Sequence, residues 1–164
     1  MSTRSGDLDP GLVLYLATAE GMNAKQFSAM VNSKSGLLGL SETSSDMRDL
    51  LNRETDDMRA AEAVALFCYQ IKKWIGAFAT ALGGLNTLAF TGGIGENAPV
   101  VRSRICDGLG FLGIELDESK NAANESVISS ATAPVAVHVI RTDEDQMIAT
   151  TVCRVLGLGM ANER

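Results

Sequence analysis

Cysteine, histidine and positive charge are all in short supply in this sequence of 164 residues. Its three cysteines, Cys68, Cys106 and Cys153, form no CxxC pair and lie in helical-looking stretches. An odd, scattered set excludes a disulfide framework and matches the reduced thiols of an intracellular protein. The one histidine, His138, sits in the middle of an apolar run and reads better as a packing or groove-facing residue than as a catalyst. Lys and Arg number 14 against 20 Asp and Glu, a formal net charge of −6. That balance argues against nucleic acid or an anionic membrane as the main partner, since either needs a cationic face. No early segment combines a basic start, an apolar core and a small-residue cleavage site, and no apolar run reaches bilayer length. The expectation is a soluble, cytoplasmic protein.

Apolar residues are plentiful, at 46% hydrophobic against 21% charged, which is a globular composition and not a disordered one. A chain of this size buries on the order of two-thirds of its unfolded surface and needs no staples. Residues 1–164 are expected to form a single domain.

Local signals divide the chain into helices and a few strands. Asp9-Pro10 opens a first helix that ends near Gly21, and Asn23 to Asn32 makes a second with Phe27, Met30 and Val31 on one face. A loop over Ser35 to Leu40 and Ser44 to Arg48 is expected next. Val64, Phe67, Ile71, Trp74, Ile75, Phe78 and Leu82 recur at three- and four-residue steps. They predict a helix from about Asp56 to Leu82, capped by Thr55, with this stripe in the core. Leu85 to Phe90 reads as a strand, Pro99 to about Leu109 as a helix and Phe111 to Leu116 as a second strand. A short polar helix over Glu118–Asn124 follows. Pro134 to Ile140 reads as a third strand, apolar enough to be buried on both faces. Thr142 to Asp145 opens a closing helix carrying Met147, Ile148, Val152 and Leu156. The pattern is α/β with few strands for so much helix, as expected of a piece of a larger fold.

The sharpest chemical feature is Thr91-Gly92-Gly93-Ile94-Gly95-Glu96-Asn97, directly after a strand. Glycines there let the backbone turn tightly and approach a ligand, while a following helix offers free amides. A glycine pair alone would be only a tight connection; three glycines between Thr91 and Asn97 point to a nucleotide site. No Gly-Lys-Ser/Thr follows, so it is not a Walker loop. A degenerate dinucleotide fingerprint, Gly93-x-Gly95-x-x-Ala98 with Glu115 or Asp117 downstream, is a rival reading. Against it, Glu96 would stand beside a pyrophosphate, and no series of βαβ units follows.

Ser44-Ser45-Asp46-Met47-Arg48 taken alone is a helix cap with a solvated arginine. Thr142 with acidic residues after it is likewise an ordinary helix start. Glu144, however, at the carboxyl end of a buried strand, also stands where a hard cation bridging phosphates finds oxygen ligands. Arg4 by composition is an unremarkable charge.

Taken together, Ser2 to Pro10, Ser35 to Leu40, Ser45 to Arg48, Phe90 to Asn97 with Val101-Arg102, and Thr142-Asp143-Glu144 occur in the order found in one family. The chain resembles the C-terminal portion of an acetate or propionate kinase, over nearly all of its length from Ser2 to the closing helix. The resemblance implies the C-terminal part of an actin-like (ribonuclease H-like) ATPase domain, helix-rich and with an incomplete sheet. It implies Mg2+-dependent phosphoryl transfer between ATP and a short-chain carboxylate, giving an acyl phosphate and ADP.

Residue by residue, Arg4 matches the catalytic arginine that steadies the transferring phosphoryl group. Asp46, Met47 and Arg48 match the segment beside the adenosine. Gly93, Ile94, Gly95, Glu96 and Asn97 match the loop under the nucleotide, and Glu144 matches the magnesium ligand. Phosphoryl transfer needs positioning and charge neutralisation more than covalent chemistry, so these are the expected parts. The resemblance also implies a homodimer formed through this region. Two positions depart from the family pattern: Ser2 stands for a glycine and Arg141 for a proline. The family's N-terminal domain, its phosphate-gripping loop and its acyl pocket have no counterpart here. Arg4 is expected to fray, and the isolated chain to lack kinase activity or to serve as a binding or dimerisation module.

Overall fold

The computed structural model describes residues 2–158. Helix α1 (Pro10–Thr18) starts where the Asp9 carboxylate accepts the Gly11 and Leu12 amides. Helix α2 (Ala24–Ser33) starts at a reciprocal box between Asn23 and Gln26. Backbone hydrogen bonds tie the segment before α1, expected to fray, to the end of α2 and the residues that follow it. The Ser2 and Thr3 carbonyls accept the Leu38 and Ser35 amides, and the Ser5 amide donates to the Val31 carbonyl.

Where a loop was expected, two short helices form, α3 (Gly36–Ser41) and α4 (Met47–Arg53). The glycine and serine content of α3 reads as loop, whereas α4 starts at Asp46, within the motif whose plain reading is a helix cap. Leu37, Met47 and Leu50 nevertheless bury themselves in the core, and packing overrides weak propensity. Both helices pack on α5 (Met58–Leu82), whose 25 residues make a rod about 37 Å long. Asp57, not Thr55, caps α5 by accepting the Arg59 and Ala60 amides. Gly83 ends it in the left-handed region, at φ 75°.

The α5 stripe is core for only half its length. Val64 is fully buried and Phe67, Ile71 and Ile75 pack on the core. Trp74, Phe78 and Leu82 remain 43%, 59% and 74% exposed, and the Trp74 and Phe78 rings stack on each other with centroids 5.4 Å apart. Among the described residues, α3, α4 and α7 (Pro99–Cys106) are the elements packed most closely on this helix.

Strands β1 (Thr87–Phe90) and β2 (Ala136–Val139) pair in parallel, from Thr87 opposite Ala136 to Phe90 opposite Val139. Burial alternates along β2, with Val137 and Val139 inside, so one face and not both is covered. His138 is half-buried, its backbone paired opposite Ala89 and bridged to Val127. No strand forms over Phe111 to Leu116. Gly110–Leu112 coils as a 3₁₀ turn, Phe111 is 80% exposed and Gly113 turns at φ 85°. A strand cannot run through that left-handed residue, and only an isolated bridge from Leu116 to Ser129 remains.

Between the strands, α7 stops at Cys106, and α8 (Glu118–Ala122) is capped by Asp117. After β2 comes α9 (Glu144–Val155), capped by Asp143 and not by Thr142. Its Met147, Ile148, Val152 and Leu156 are exposed. The three cysteines are free; Cys68 and Cys106 are buried. No helix among the described residues is long and apolar enough to cross a membrane.

Candidate functional site

Parallel strands end on the same side of their sheet, and ligands of α/β folds collect at that carboxyl edge. Here β1 runs through Thr91 into α6 (Gly92–Asn97), and β2 runs through Arg141–Asp143 into α9. The glycine run is therefore helical and not an open loop. Its first amide is also not free, because Gly92 N–H donates to Glu96 Oε1 at 2.9 Å.

The glycines divide by role. Gly92 needs its freedom for φ 73°, and a Cβ on Gly95 would come within 3.3 Å of the Phe90 carbonyl carbon. Gly93 has ordinary φ, and a Cβ there would meet nothing within 4 Å. The fold needs two of the glycines; the third leaves bare backbone at the surface.

Asp46 caps α4, accepting the Arg48 amide at 2.8 Å and the Arg48 guanidinium at 3.1 Å (Nε) and 2.6 Å (Nη2). The guanidinium holds the Asp46 carboxyl down at about 2. Met47 turns the other way into the core, so its side chain anchors the cap and only borders the site. Helix α4 is fastened to α7 by Glu54, whose two oxygens accept Arg104 at 2.7 and 2.8 Å. That bidentate pair holds the Glu54 carboxyl below its usual range.

These fastenings bring the two motifs into one cavity. Asp46, Met47, Arg48, Gly93, Ile94 and Asn97 line a space of about 320 Å³. A second space of about 600 Å³ is lined by Gly92, Gly93, Glu96, Thr142, Glu144 and Asp145, with Gly93 common to both. Arg4 is exposed, lies beside the α2–α3 corner and lines neither space. A larger cavity of about 730 Å³ between α1 and α2, with Tyr15, Lys25 and Lys34 on its walls, gathers none of the motifs.

Glu144 is exposed at the first position of α9. Among the described residues no three Asp, Glu, His or Cys side chains gather as a metal cage. One or two carboxylates beside an open groove suit Mg2+, which keeps most of its waters and takes the rest of its ligands from phosphates. Glu96 borders the second space, but one of its carboxylate oxygens is already engaged. Its Oε1 accepts Thr142 N–H at 3.0 Å and Thr142 Oγ–H at 2.8 Å besides Gly92. The Thr142 donors hold its carboxyl below the usual range.

Arg102, noted in the sequence only as a flank of the glycine motif, is fully buried. It donates to the Gly95 and Glu96 carbonyls at 2.8 and 3.1 Å, to Asn121 Oδ1 and O at 2.8 and 2.7 Å, and to Asn124 Oδ1 at 2.6 Å. Burial lowers its pKa. The only sequence signal was an arginine between Val101 and Ile105, on the buried side of α7.

The profile of the Acetokinase family matches residues 1–150. The chain belongs to the acetokinase family. It is 44% identical over 161 residues to an acetate kinase of Solibacter usitatus, covering 95% of this chain and 39% of that protein. It is 45% identical over 156 residues to a propionate kinase of Yersinia enterocolitica, covering 94% and 38%. The crystal structure of Porphyromonas gingivalis acetate kinase matches it with a TM-score of 0.86 at 42% identity, covering 95% of this chain and 40% of that one. The architecture is thus the helix-rich, actin-like ATPase fold of acetate kinase, with a small and incomplete parallel sheet. This acetokinase-family chain spans about 40% of the length of the curated relatives it matches. The dinucleotide-binding reading falls: no second strand ends at Glu115 or Asp117, and Asp117 is spent capping α8.

Proposed function

We propose that residues 1–164 act as one domain, corresponding to the C-terminal portion of an acetate or propionate kinase and forming one wall of its nucleotide cleft. The observation that carries this reading is the meeting of Asp46–Arg48 and Gly92–Asn97 around a single cavity. The adenosine of ATP or ADP lies between the α4 cap and α6, with its phosphates running over Gly93 towards Glu144. Bare backbone at Gly93 admits close approach, and the α4–α7 ion pair keeps that gap fixed. Glu144, with Asp145 beside it, holds Mg2+ through one or two oxygens. When bound, the ion neutralises phosphate charge. Arg4 steadies the transferring phosphoryl group only where further structure brings it to the cleft, since it lines neither cavity here. The carboxylate or acyl phosphate is held by parts outside the matched 40%. The chain alone accordingly binds nucleotide and does not turn over.

The exposed stack of Trp74 and Phe78, continued by Leu82 along α5, favours a second role in the same cytoplasmic protein, as a homodimer contact. Sedimentation at rising concentration is expected to show a dimer, and a clean monomer would remove that role.

Calorimetric titration with MgATP, MgADP and NAD, joined to an acetyl-phosphate assay, tests the main reading. Saturable binding of ATP and ADP without turnover is expected. A folded chain that binds NAD alone, or that turns over like a complete kinase, would overturn it.

A further inference from the structure

The last rung of the sheet is the hydrogen bond from Ile140 N–H to the Phe90 carbonyl. Beyond it, β1 and β2 part into separate turns, one ending in Gly93 and the other in Glu144. Among the described residues, the only hydrogen bonds that cross between these turns are those Glu96 accepts from Thr142. The same oxygen accepts the amide of Gly92, which stands at φ 73°. One carboxylate oxygen therefore ties the entry of α6 to the entry of α9. The other structural control on α6 is Arg102, which grips its carbonyl end and leaves α9 untouched.

We propose that Glu96 is a positioning residue: it couples the nucleotide backbone at Gly93 to the cation carboxylate at Glu144, and contacts neither ligand itself. The inference deepens the kinase reading and rests on it for the ligands, while the tie itself is independent of any ligand. Without Glu96, no hydrogen bond among the described residues joins the two turns, and the separation between Gly93 and Glu144 is free to drift. A cation bridging protein and phosphate is sensitive to that separation. Nucleotide alone, resting on Gly93 and the α4 cap, is not.

The test uses the full chain and its Glu96→Ala, Glu96→Gln and Thr142→Val variants. Hydrogen exchange at the Thr142 and Gly92 amides reads the tie. ADP affinity with and without Mg2+ reads the coupling. In Glu96→Ala both amides are expected to lose protection about tenfold or more. The factor by which Mg2+ tightens ADP is expected to fall about tenfold, with metal-free affinity within about threefold. Glu96→Gln keeps an acceptor oxygen in place and restores most of both readouts. Thr142→Val loses one donor and falls between, and it decides the matter should Glu96→Ala fail to fold. Equal loss of the Mg2+ effect in the Gln and Ala variants, with Thr142 protection unchanged, would make Glu96 a direct ligand and overturn the proposal. Unchanged exchange and unchanged coupling in Glu96→Ala would overturn it as well. A wild-type chain that binds no ADP defeats the kinase reading, and the exchange arm then still decides whether the tie exists.

Discussion

Arg102 Nη1 donates to the Gly95 carbonyl at 2.8 Å from a side chain that has no contact with solvent. A helix as short as α6 leaves most of its carbonyls unpaired, and a buried guanidinium answers two of them while Asn121 and Asn124 take its remaining donors. No carboxylate pairs with it among the described residues, so its charge is dispersed over neutral acceptors.

Replacing Arg102 should therefore be costly out of proportion to its size. Arg102→Met leaves five acceptor contacts unanswered and is expected to destabilise the chain by about 3 kcal/mol or more. Arg102→Lys cannot reproduce the planar fork and should recover little of that. Urea denaturation measures both. A loss under about 1 kcal/mol for Met would mean that α6 does not depend on this side chain.

The three glycines of the motif should separate in a mutational series. Gly95→Ala forces the Phe90 backbone aside and is expected to cost about 1–3 kcal/mol. Gly93→Ala meets empty space in a helical segment and should leave stability unchanged or raise it by up to about 1 kcal/mol. Its effect should appear only in weakened ADP binding. Thermal unfolding and calorimetry on the same preparations distinguish the two.

Asp46 titrates at about 2 because Arg48 favours its charged form. A folded-state pKa below the ordinary 3.8 means that the cap's contribution is fully present above pH 3.8 and disappears as pH falls towards 2. Arg48→Ala should move the Asp46 midpoint back up towards its ordinary value, read by carboxyl NMR. A midpoint unchanged by that substitution would show that the guanidinium is not its cause.

How much of this was legible in the sequence depended on whether the decisive partner was near or far along the chain. Asp9, Asn23 and the 3.6-residue stripe of α5 declared themselves, because caps and stripes are local. Helix α3 did not, since Leu37 is held by burial under α5 and not by propensity, whereas the start of α4 was visible in its Asp46 cap. The strand expected at Phe111 failed at Gly113, whose left-handed turn outweighs β propensity. The motif residues were visible, but their roles were not separable. Met47 is core, Glu96 faces Thr142 46 residues away, and Arg102 meets Asn121 19 residues on. Such tertiary bonds leave no trace in spacing.

The buried thiols give a check on the core. Burial pushes Cys106 up to about 12 and also raises Cys68. Neither should react with a thiol reagent at pH 8 in the folded chain, and both should react after denaturation. Labelling of Cys106 under native conditions would contradict the packing of α7 on α5.

The central claim is that Asp46–Arg48 and Gly92–Asn97 form one nucleotide wall. Amide chemical shifts recorded during titration with MgADP test it most directly. The expected result is saturable shifts at Arg48, Gly93, Ile94 and Asn97, with Lys25 and Lys34 of the α1–α2 cavity unmoved. Shifts confined to that other cavity, or none at all in a folded chain, would contradict it.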